Sequence, residues 1–159
     1  MLFAVTAAAA MFNWYQWRGL KNDAHERDVV ASVSQNFLLT LFDFTPDSID
    51  RQVARIRASA VGDFATQVDQ TFSASRVQQL KSAKVVSKST IRSVFVERIA
   101  GDQATSFGVI DESVTNAKSP TPRTGVVRVE LGLIDTTGGW RIGSVDILQT
   151  PGGTALPGG

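Results

Sequence analysis

The chain has few of the side chains on which enzymes and metal sites depend. Its 159 residues include no cysteine and one histidine, His25. Without cysteine there is no disulfide, no thiolate zinc site and no cysteine nucleophile. A single histidine also excludes any site that needs two imidazoles. We therefore predict no catalytic residues, no metal ligands and no cofactor.

Neither sign of charge is in excess. Sixteen Lys and Arg oppose fifteen Asp and Glu, which leaves a formal net charge of +1, and the two signs are interspersed. A nucleic-acid surface needs basic residues concentrated on one face, so no nucleic-acid partner is predicted. The length suits one domain with a hydrophobic core, since compact domains cluster at roughly 100–150 residues.

The first residues have the character of a membrane helix. Residues 1–17 carry no charge and end in aromatic side chains that a cation follows: Trp14, Tyr15, Trp17 and Arg18. This order is typical of a chain that leaves hydrocarbon for headgroups and water. We predict a transmembrane helix over residues 1–20, with those four residues at the membrane interface. The protein is then a single-pass cell-membrane protein whose C-terminal domain is extracytoplasmic (periplasmic).

The predicted span is short, since crossing the bilayer takes about 20 apolar residues. We therefore expect the helix to begin upstream of Met1. Two alternatives stay open. A cleaved signal peptide would use the small residues 7–10, although it lacks the usual basic start. A buried core helix would have to place three large aromatic side chains at one end.

Helical spacing dominates residues 22–82. Over residues 22–42 an apolar stripe recurs every three or four positions: Val29, Val30, Val33, Phe37, Leu38, Leu41 and Phe42. Thr45 and Pro46 mark a second helix start, because threonine caps helices and proline suits the first turn. Gly62 interrupts this helix. A third stretch follows with Phe64, Val68 and Phe72, and Ser75 is a candidate cap for a last turn with Val77 and Leu80.

After Lys81 the pattern changes to β. Strands are predicted over residues 84–99 and 103–116, then a loop with Pro120 and Pro122, then a strand whose one face is wholly apolar: Val127, Val129, Leu131 and Leu133. A fourth strand starts at Trp140. Its apolar positions change parity after Gly143, which indicates a β-bulge.

Helices followed by an antiparallel meander predict an α+β fold, with the N-terminal helices packed on a curved four-stranded sheet. The predicted domain covers residues 21–150. Residues 151–159 hold four glycines and two prolines and are expected to be a disordered tail.

Six short motifs, in order, resemble the Mce-associated membrane protein family. They are Leu41–Thr45, Ser48–Asp50, Val53–Ile56, Ala60–Phe64, Ser113–Asn116 and Gly139–Ile142. The family has an aromatic-Asp-aromatic step after its first helix and a Gly-acidic-Phe motif further on. The Gly-Trp element of the last motif is common to many cone-shaped domains, so the resemblance depends on the ordered set.

The resemblance implies a nuclear transport factor 2-like (SnoaL-like) cone behind a single membrane anchor. It further implies a non-catalytic accessory subunit that binds and stabilises an Mce-type lipid or sterol importer of a mycobacterial-type envelope. Its partners would be the substrate-binding Mce proteins and the permease. Assembly components of type IV secretion systems share the anchor-plus-cone layout and are an alternative. Another alternative is a cone that binds a lipid or small molecule.

Two sets of residues are candidate binding surfaces. An aromatic set forms either an apolar pocket or plain core: Phe37, Phe64, Phe72, Phe95, Phe107 and Trp140. A basic set on the second helix is a candidate partner-docking face: Arg51, Arg55 and Arg57. An enzyme of the cone fold would need an inward acid, for which Asp111 is the candidate, because it shares a strand face with Phe107 and Val109.

Overall fold

The computed structural model describes residues 24–149. Helix α1 covers residues 24–42, and α2, α3 and α4 follow at Ile49–Ser59, Gly62–Thr71 and Ala74–Ser82. The strands are β1 (Val86–Ala100), β2 (Gln103–Asn116), β3 (Ser119–Thr136) and β4 (Gly139–Gln149). The predicted order of helices and strands is confirmed.

The four strands form one antiparallel sheet in the order β1-β2-β3-β4. Each strand turns directly into the next, and glycines in the left-handed region make two of the turns, Gly101 with φ 63° and Gly139 with φ 88°. Only glycine adopts such angles without steric cost. β1 and β4 are therefore the two edges of the sheet.

Helix α1 packs on the inner face of this sheet. Its Leu38 is fully buried over Gly108 of β2, where an added Cβ would lie 2.4 Å from Leu38 Cδ1. One turn earlier, the Ser34 hydroxyl donates to the Val30 carbonyl at 2.8 Å and lies 2.7 Å from the hydroxyl of Ser106. The lack of a side chain at Gly108 and the contact between two buried serine hydroxyls thus fix the position of α1 along β2.

The inner face carries the core. The predicted apolar face of the third strand is confirmed, because Val127, Val129, Leu131 and Leu133 are all buried. On β2 the buried positions are the even-numbered ones from Ala104 to Ile110. A second cluster of Ile49, Val53 and Val77 joins α2 to α4.

The predicted helix start at Thr45 and Pro46 is wrong by three residues, because α2 begins at Ile49 and its N-cap Ser48 makes no side-chain cap hydrogen bond. Thr45 and Ser48 instead bond to each other in the preceding turn, where each side-chain oxygen accepts the backbone N–H of the other residue, at 3.3 Å and 2.8 Å. In β4 the register shifts between Ile142 and Ser144 and leaves Gly143 as the extra residue. This shift is the bulge that the parity change predicted.

The predicted loop around Pro120 and Pro122 is wrong, because this segment is the start of β3. The β2–β3 register jumps there from Asn116↔Ser119 to Val114↔Arg123. Both prolines lie in that jump and are exposed. Proline has no N–H to donate to a ladder, so an interrupted stretch is where a strand tolerates it.

No helix within residues 24–149 has both the length and the apolar character that crossing a bilayer requires. The predicted span over residues 1–20 lies outside the described residues. Its interface residues Trp14, Tyr15, Trp17 and Arg18 lie there too, as does the predicted tail over 151–159.

Candidate binding groove

A groove with a volume of about 630 Å³ lies between α3, α4 and the second half of β4. Its floor is apolar: Leu41, Phe64, Val68, Phe72, Val145 and Ile147. Its rim is polar: Gln67, Gln70, Thr71, Ser73, Ser75, Arg76, Gln79 and Asp146. Ligand sites in proteins typically enclose about 300–1,000 Å³, so the groove is large enough to hold a ligand or a short peptide segment.

The link between α2 and α3 places one wall of the groove. The Val61 N–H donates to the Ile142 carbonyl at 2.9 Å, and Ala60 forms an isolated parallel bridge with Ile142. Gly62 then takes φ 60°, which turns the chain into α3. Phe64 and Val68, one helical turn apart, face the sheet and are buried.

The groove lining carries few charged side chains. Arg76 and Asp146 are its two charged residues, and the remaining polar side chains are neutral amides and hydroxyls. Within residues 24–149 no cluster of three His, Cys, Asp or Glu side chains has the geometry of a metal site. His25 is exposed near the start of α1 and does not line the groove. The described lining thus offers apolar surface and hydrogen-bonding groups.

The predicted aromatic set is divided between three environments. Phe37 and Phe64 pack edge to face, with ring centroids 6.0 Å apart, and are buried with Trp140 in the core. Phe64 also lines the groove together with Phe72. The remaining two, Phe95 and Phe107, are paired across β1 and β2 on the opposite face of the sheet.

Phe95 is neither core nor pocket, since 59% of its surface is exposed. The reason is strand parity. Even-numbered residues of β2 point inward, so Phe107 points outward. Phe95 lies directly opposite Phe107 and shares its face. The prediction placed both residues in one set with the inward aromatics, and this is wrong.

The predicted docking face of three arginines is also divided. At about 100° per residue, Arg51 and Arg55 lie about 40° apart, whereas Arg57 lies about 200° from Arg55. Arg57 instead donates to Asp69 at 2.7 Å and to the Phe72 carbonyl at 3.2 Å, which ties α2 to α3. Arg51 and Arg55 are exposed, and they alone keep the geometry of a docking face.

Asp111 shares the face of Phe107 and Val109, as predicted, but that face is the outer one. Its carboxylate accepts a hydrogen bond from the Arg92 Nε. This hydrogen bond holds the pKa of Asp111 below its usual value. An ion-paired carboxylate on the outer face has no access to an enclosed pocket.

Glu112 is an inward acid that was not predicted from the sequence. It lies two residues after Ile110, on the inner face, and is half-buried. The buried Ser87 hydroxyl lies 2.8 Å from Glu112 Oε1 and 2.7 Å from the Phe42 carbonyl. Burial raises the pKa of Glu112, against an opposing effect of the Ser87 hydrogen bond. The parity of the buried residues was the available signal.

The fold, a four-stranded antiparallel sheet with helices on its inner face, is similar to the nuclear transport factor 2-like fold. An NTF2-like protein with a cystatin-like fold from Novosphingobium aromaticivorans matches with a TM-score of 0.51 and 14% identity, over 82% of this chain and 86% of that one. Among solved structures, Agrobacterium tumefaciens VirB8 has a TM-score of 0.63 at 9% identity, over 77% of this chain and 92% of VirB8. An IcmL-like type IV secretion system protein of Legionella pneumophila has a TM-score of 0.60 at 11% identity, over 79% and 95%.

In sequence, the chain is similar to uncharacterized proteins from two strains of Mycobacterium tuberculosis. The identity is 26% over 116 residues, which are 73% of this chain and 52% of the relative. The chain thus spans about half the length of the curated relatives it matches. No protein-family model matches it.

Proposed function

We propose that the protein is a membrane-anchored, non-catalytic subunit that binds other proteins within an envelope-spanning transport or secretion complex. The observation that carries this proposal is the groove beside β4, whose lining suits binding. The shared fold supports it, since VirB8 and the IcmL-like secretion protein have the same architecture. Fold alone does not determine function, whereas the groove is a feature of this chain's own residues.

The predicted anchor sets the location. A membrane helix over residues 1–20 would hold the cone at the extracytoplasmic surface, where the subunits of an envelope complex are within reach. Because α1 covers residues 24–42 and the predicted anchor ends at residue 20, few residues separate the two. The groove is therefore presented at a restricted distance from the bilayer.

A finer assignment follows from the sequence motifs. The six ordered motifs resemble the Mce-associated family, and the matching relatives come from Mycobacterium tuberculosis. The complex would then be an Mce-type lipid or sterol importer, with the substrate-binding Mce proteins and the permease as partners. A secretion complex is the competing assignment, which the structural similarities favour.

The test is purification of the intact, tagged protein from its native membrane in a mild detergent. Subunits of an envelope complex should co-purify, compared with an unrelated anchored protein carrying the same tag. Importer subunits would support the Mce assignment and secretion subunits the competing one. A protein that purifies alone under conditions that preserve known membrane complexes would refute the proposed function.

A second candidate function is the binding of a lipid or other small apolar molecule, since the groove volume of about 630 Å³ is that of a ligand site. Native mass spectrometry of the detergent-solubilised protein distinguishes this function. A defined extra mass that disappears when Val68 on the groove floor is replaced by Asp supports ligand binding. The apoprotein mass alone counts against it.

A further inference from the structure

One wall of the groove is a strand edge. Three consecutive residues of β4, Val145, Asp146 and Ile147, line it. Successive side chains of a strand point to opposite faces of the sheet. Three consecutive residues can therefore line one groove only if the edge of the strand, with its backbone N–H and C=O groups, forms part of the wall. The groove therefore combines an apolar floor with main-chain hydrogen-bonding groups.

The outer edge of β4 is covered along only one half. Before the bulge, Ile142 pairs with the Ala60–Val61 segment. After Gly143, none of residues 24–149 pairs with the outer side of β4, which is the last strand of the sheet. The covered half shows that this edge accepts an extended segment, and the uncovered half adjoins the groove. An unpaired edge is a template for another chain.

We propose that an extended segment of a partner protein binds here by adding a strand to the outer edge of residues 144–149. The inference rests on the proposed function and specifies its docking surface. The segment carries apolar side chains at alternate positions, because every second residue of an added strand would point toward Phe64, Val68 and Phe72.

The charge of the groove identifies the kind of occupant. Arg76 and Asp146 have opposite signs, so the lining carries no net charge. Anionic lipid headgroups or nucleic acid are recognised by several clustered cations, and one arginine beside an aspartate is not such a cluster. The amides of Gln67, Gln70 and Gln79 match the donors and acceptors of a peptide backbone. A segment with little net charge is therefore the complementary partner.

Photo-cross-linking in the native membrane tests this proposal. Benzoylphenylalanine replaces Gln79, which lines the groove, in the full-length protein. The matched control replaces Gln78, its neighbour on α4, which is exposed but does not line the groove. We expect an adduct at position 79, absent at position 78, with a segment of another polypeptide that has alternating apolar residues, identified by mass spectrometry.

Two variants test the mode of binding. Ile147→Asp puts a charge on the groove floor and should lower the adduct yield by about tenfold or more, since a buried apolar anchor dominates such interfaces. Because Ile147→Asp also risks misfolding, a proline scan over residues 144–148 provides the second measurement. Where the replaced N–H points outward, proline should leave the melting temperature nearly unchanged and abolish the adduct.

Any other cross-linking result overturns the proposal that a partner strand binds at this edge. An adduct with residues 150–159 of the same chain, with a second copy of the protein, or with a lipid assigns a different occupant. No adduct at position 79, although complex subunits co-purify, places the docking surface elsewhere and leaves the proposed function intact. If no subunits co-purify, the proposed function fails and this inference fails with it.

Discussion

Single positions on β2 decide how the first helix packs. Gly108 lies under Leu38, and a Cβ there would come within 2.4 Å of Leu38 Cδ1. The glycine is required by close approach and not by its backbone angle, since it is not among the positive-φ residues. No spacing rule reveals such a contact, because it depends on how α1 crosses the sheet.

We predict that Gly108→Ala destabilises the domain by about 1–3 kcal/mol, the usual cost of overpacking a core. Urea denaturation followed by circular dichroism measures the change. Gly138→Ala is the matched control, because the added Cβ would meet the flexible end of Arg141 at 3.3 Å and Thr136 Oγ1 at an ordinary 3.8 Å. Equal stability of the two variants would show that Leu38 moves aside freely.

Glu112 is expected to make stability depend on pH. A serine hydroxyl has one hydrogen to donate, yet Ser87 lies within bonding distance of both the Phe42 carbonyl and Glu112. Both contacts are satisfied together when Glu112 is protonated and donates to Ser87. Burial raises the pKa of Glu112 above its ordinary value of 4.5, so this protonated form persists to higher pH in the folded chain.

The sign follows from linkage. A carboxyl whose pKa is higher in the folded state stabilises the fold fully below its unfolded pKa, and this contribution is lost as pH rises through the folded pKa. We predict that Glu112→Gln removes this loss, because the glutamine amide can also donate to Ser87. Denaturation midpoints measured from pH 4.5 upward should fall less steeply in the variant than in the wild type.

Asp111→Asn is the contrasting variant. The Arg92 hydrogen bond lowers the pKa of Asp111, so the contribution of Asp111 to the stability of the fold is present at higher pH and is lost as pH falls.

A Glu112→Gln stability profile parallel to that of the wild type would contradict the prediction for Glu112. It would show that Glu112 ionises in the folded state as freely as in the unfolded chain.

At the scale of elements, α1 and β2 are joined by a buried hydroxyl pair. Ser106 lies 2.7 Å from Ser34, whose own hydrogen goes to the Val30 carbonyl at 2.8 Å. Both serines are fully buried. Replacing one partner leaves the other polar atom short of a hydrogen bond in the core, which costs more than replacing both.

We predict that Ser106→Ala and Ser34→Ala each destabilise the domain by about 1–3 kcal/mol. The double variant should be less destabilised than the sum of the two. A double-mutant cycle on unfolding free energies measures the coupling. Strict additivity would mean that the 2.7 Å contact contributes nothing to the docking of α1.

Most elements were predictable from local pattern. The 3.6-residue period gave α1, the alternation of Val127 to Leu133 gave the inner face of β3, and the parity change at Gly143 gave the bulge. The start of β3 was not predicted, because two nearby prolines usually indicate a loop. A strand tolerates them only where its hydrogen bonding to the neighbouring strand is interrupted. That interruption is a property of the β2–β3 register, which no segment encodes alone.

The binding surfaces were less predictable than the helices and strands. The arginines are an exception, because helical geometry alone predicts that Arg57 lies on another side of α2. To divide the aromatic set correctly, one must know which residues of β2 point inward, and contact with α1 determines this. The groove itself requires α3, α4 and β4 to be placed together, so its lining follows from tertiary structure.

For the whole molecule, the architecture and the binding character agree. A four-stranded meander leaves two free edges, and this chain covers the first half of β4 with its own Ala60–Val61 segment. The remaining half adjoins the groove, whose floor is apolar. An open half-edge beside an apolar groove would suit the attachment to a larger assembly that we propose.

The burial of α1 on β2 also constrains the order of folding. Ser34 meets Ser106 across 72 positions of sequence, so the helix that is synthesised first cannot bury its apolar face until β2 and β3 exist. Contacts of such separation form slowly, because the loop-closure entropy comes before the packing energy. During synthesis, the α1 stripe with Phe37 and Leu38 stays exposed, and a nascent chain in that state is prone to aggregation. The same helix that defines the finished cone is therefore the segment that most needs protection while the cone is being made.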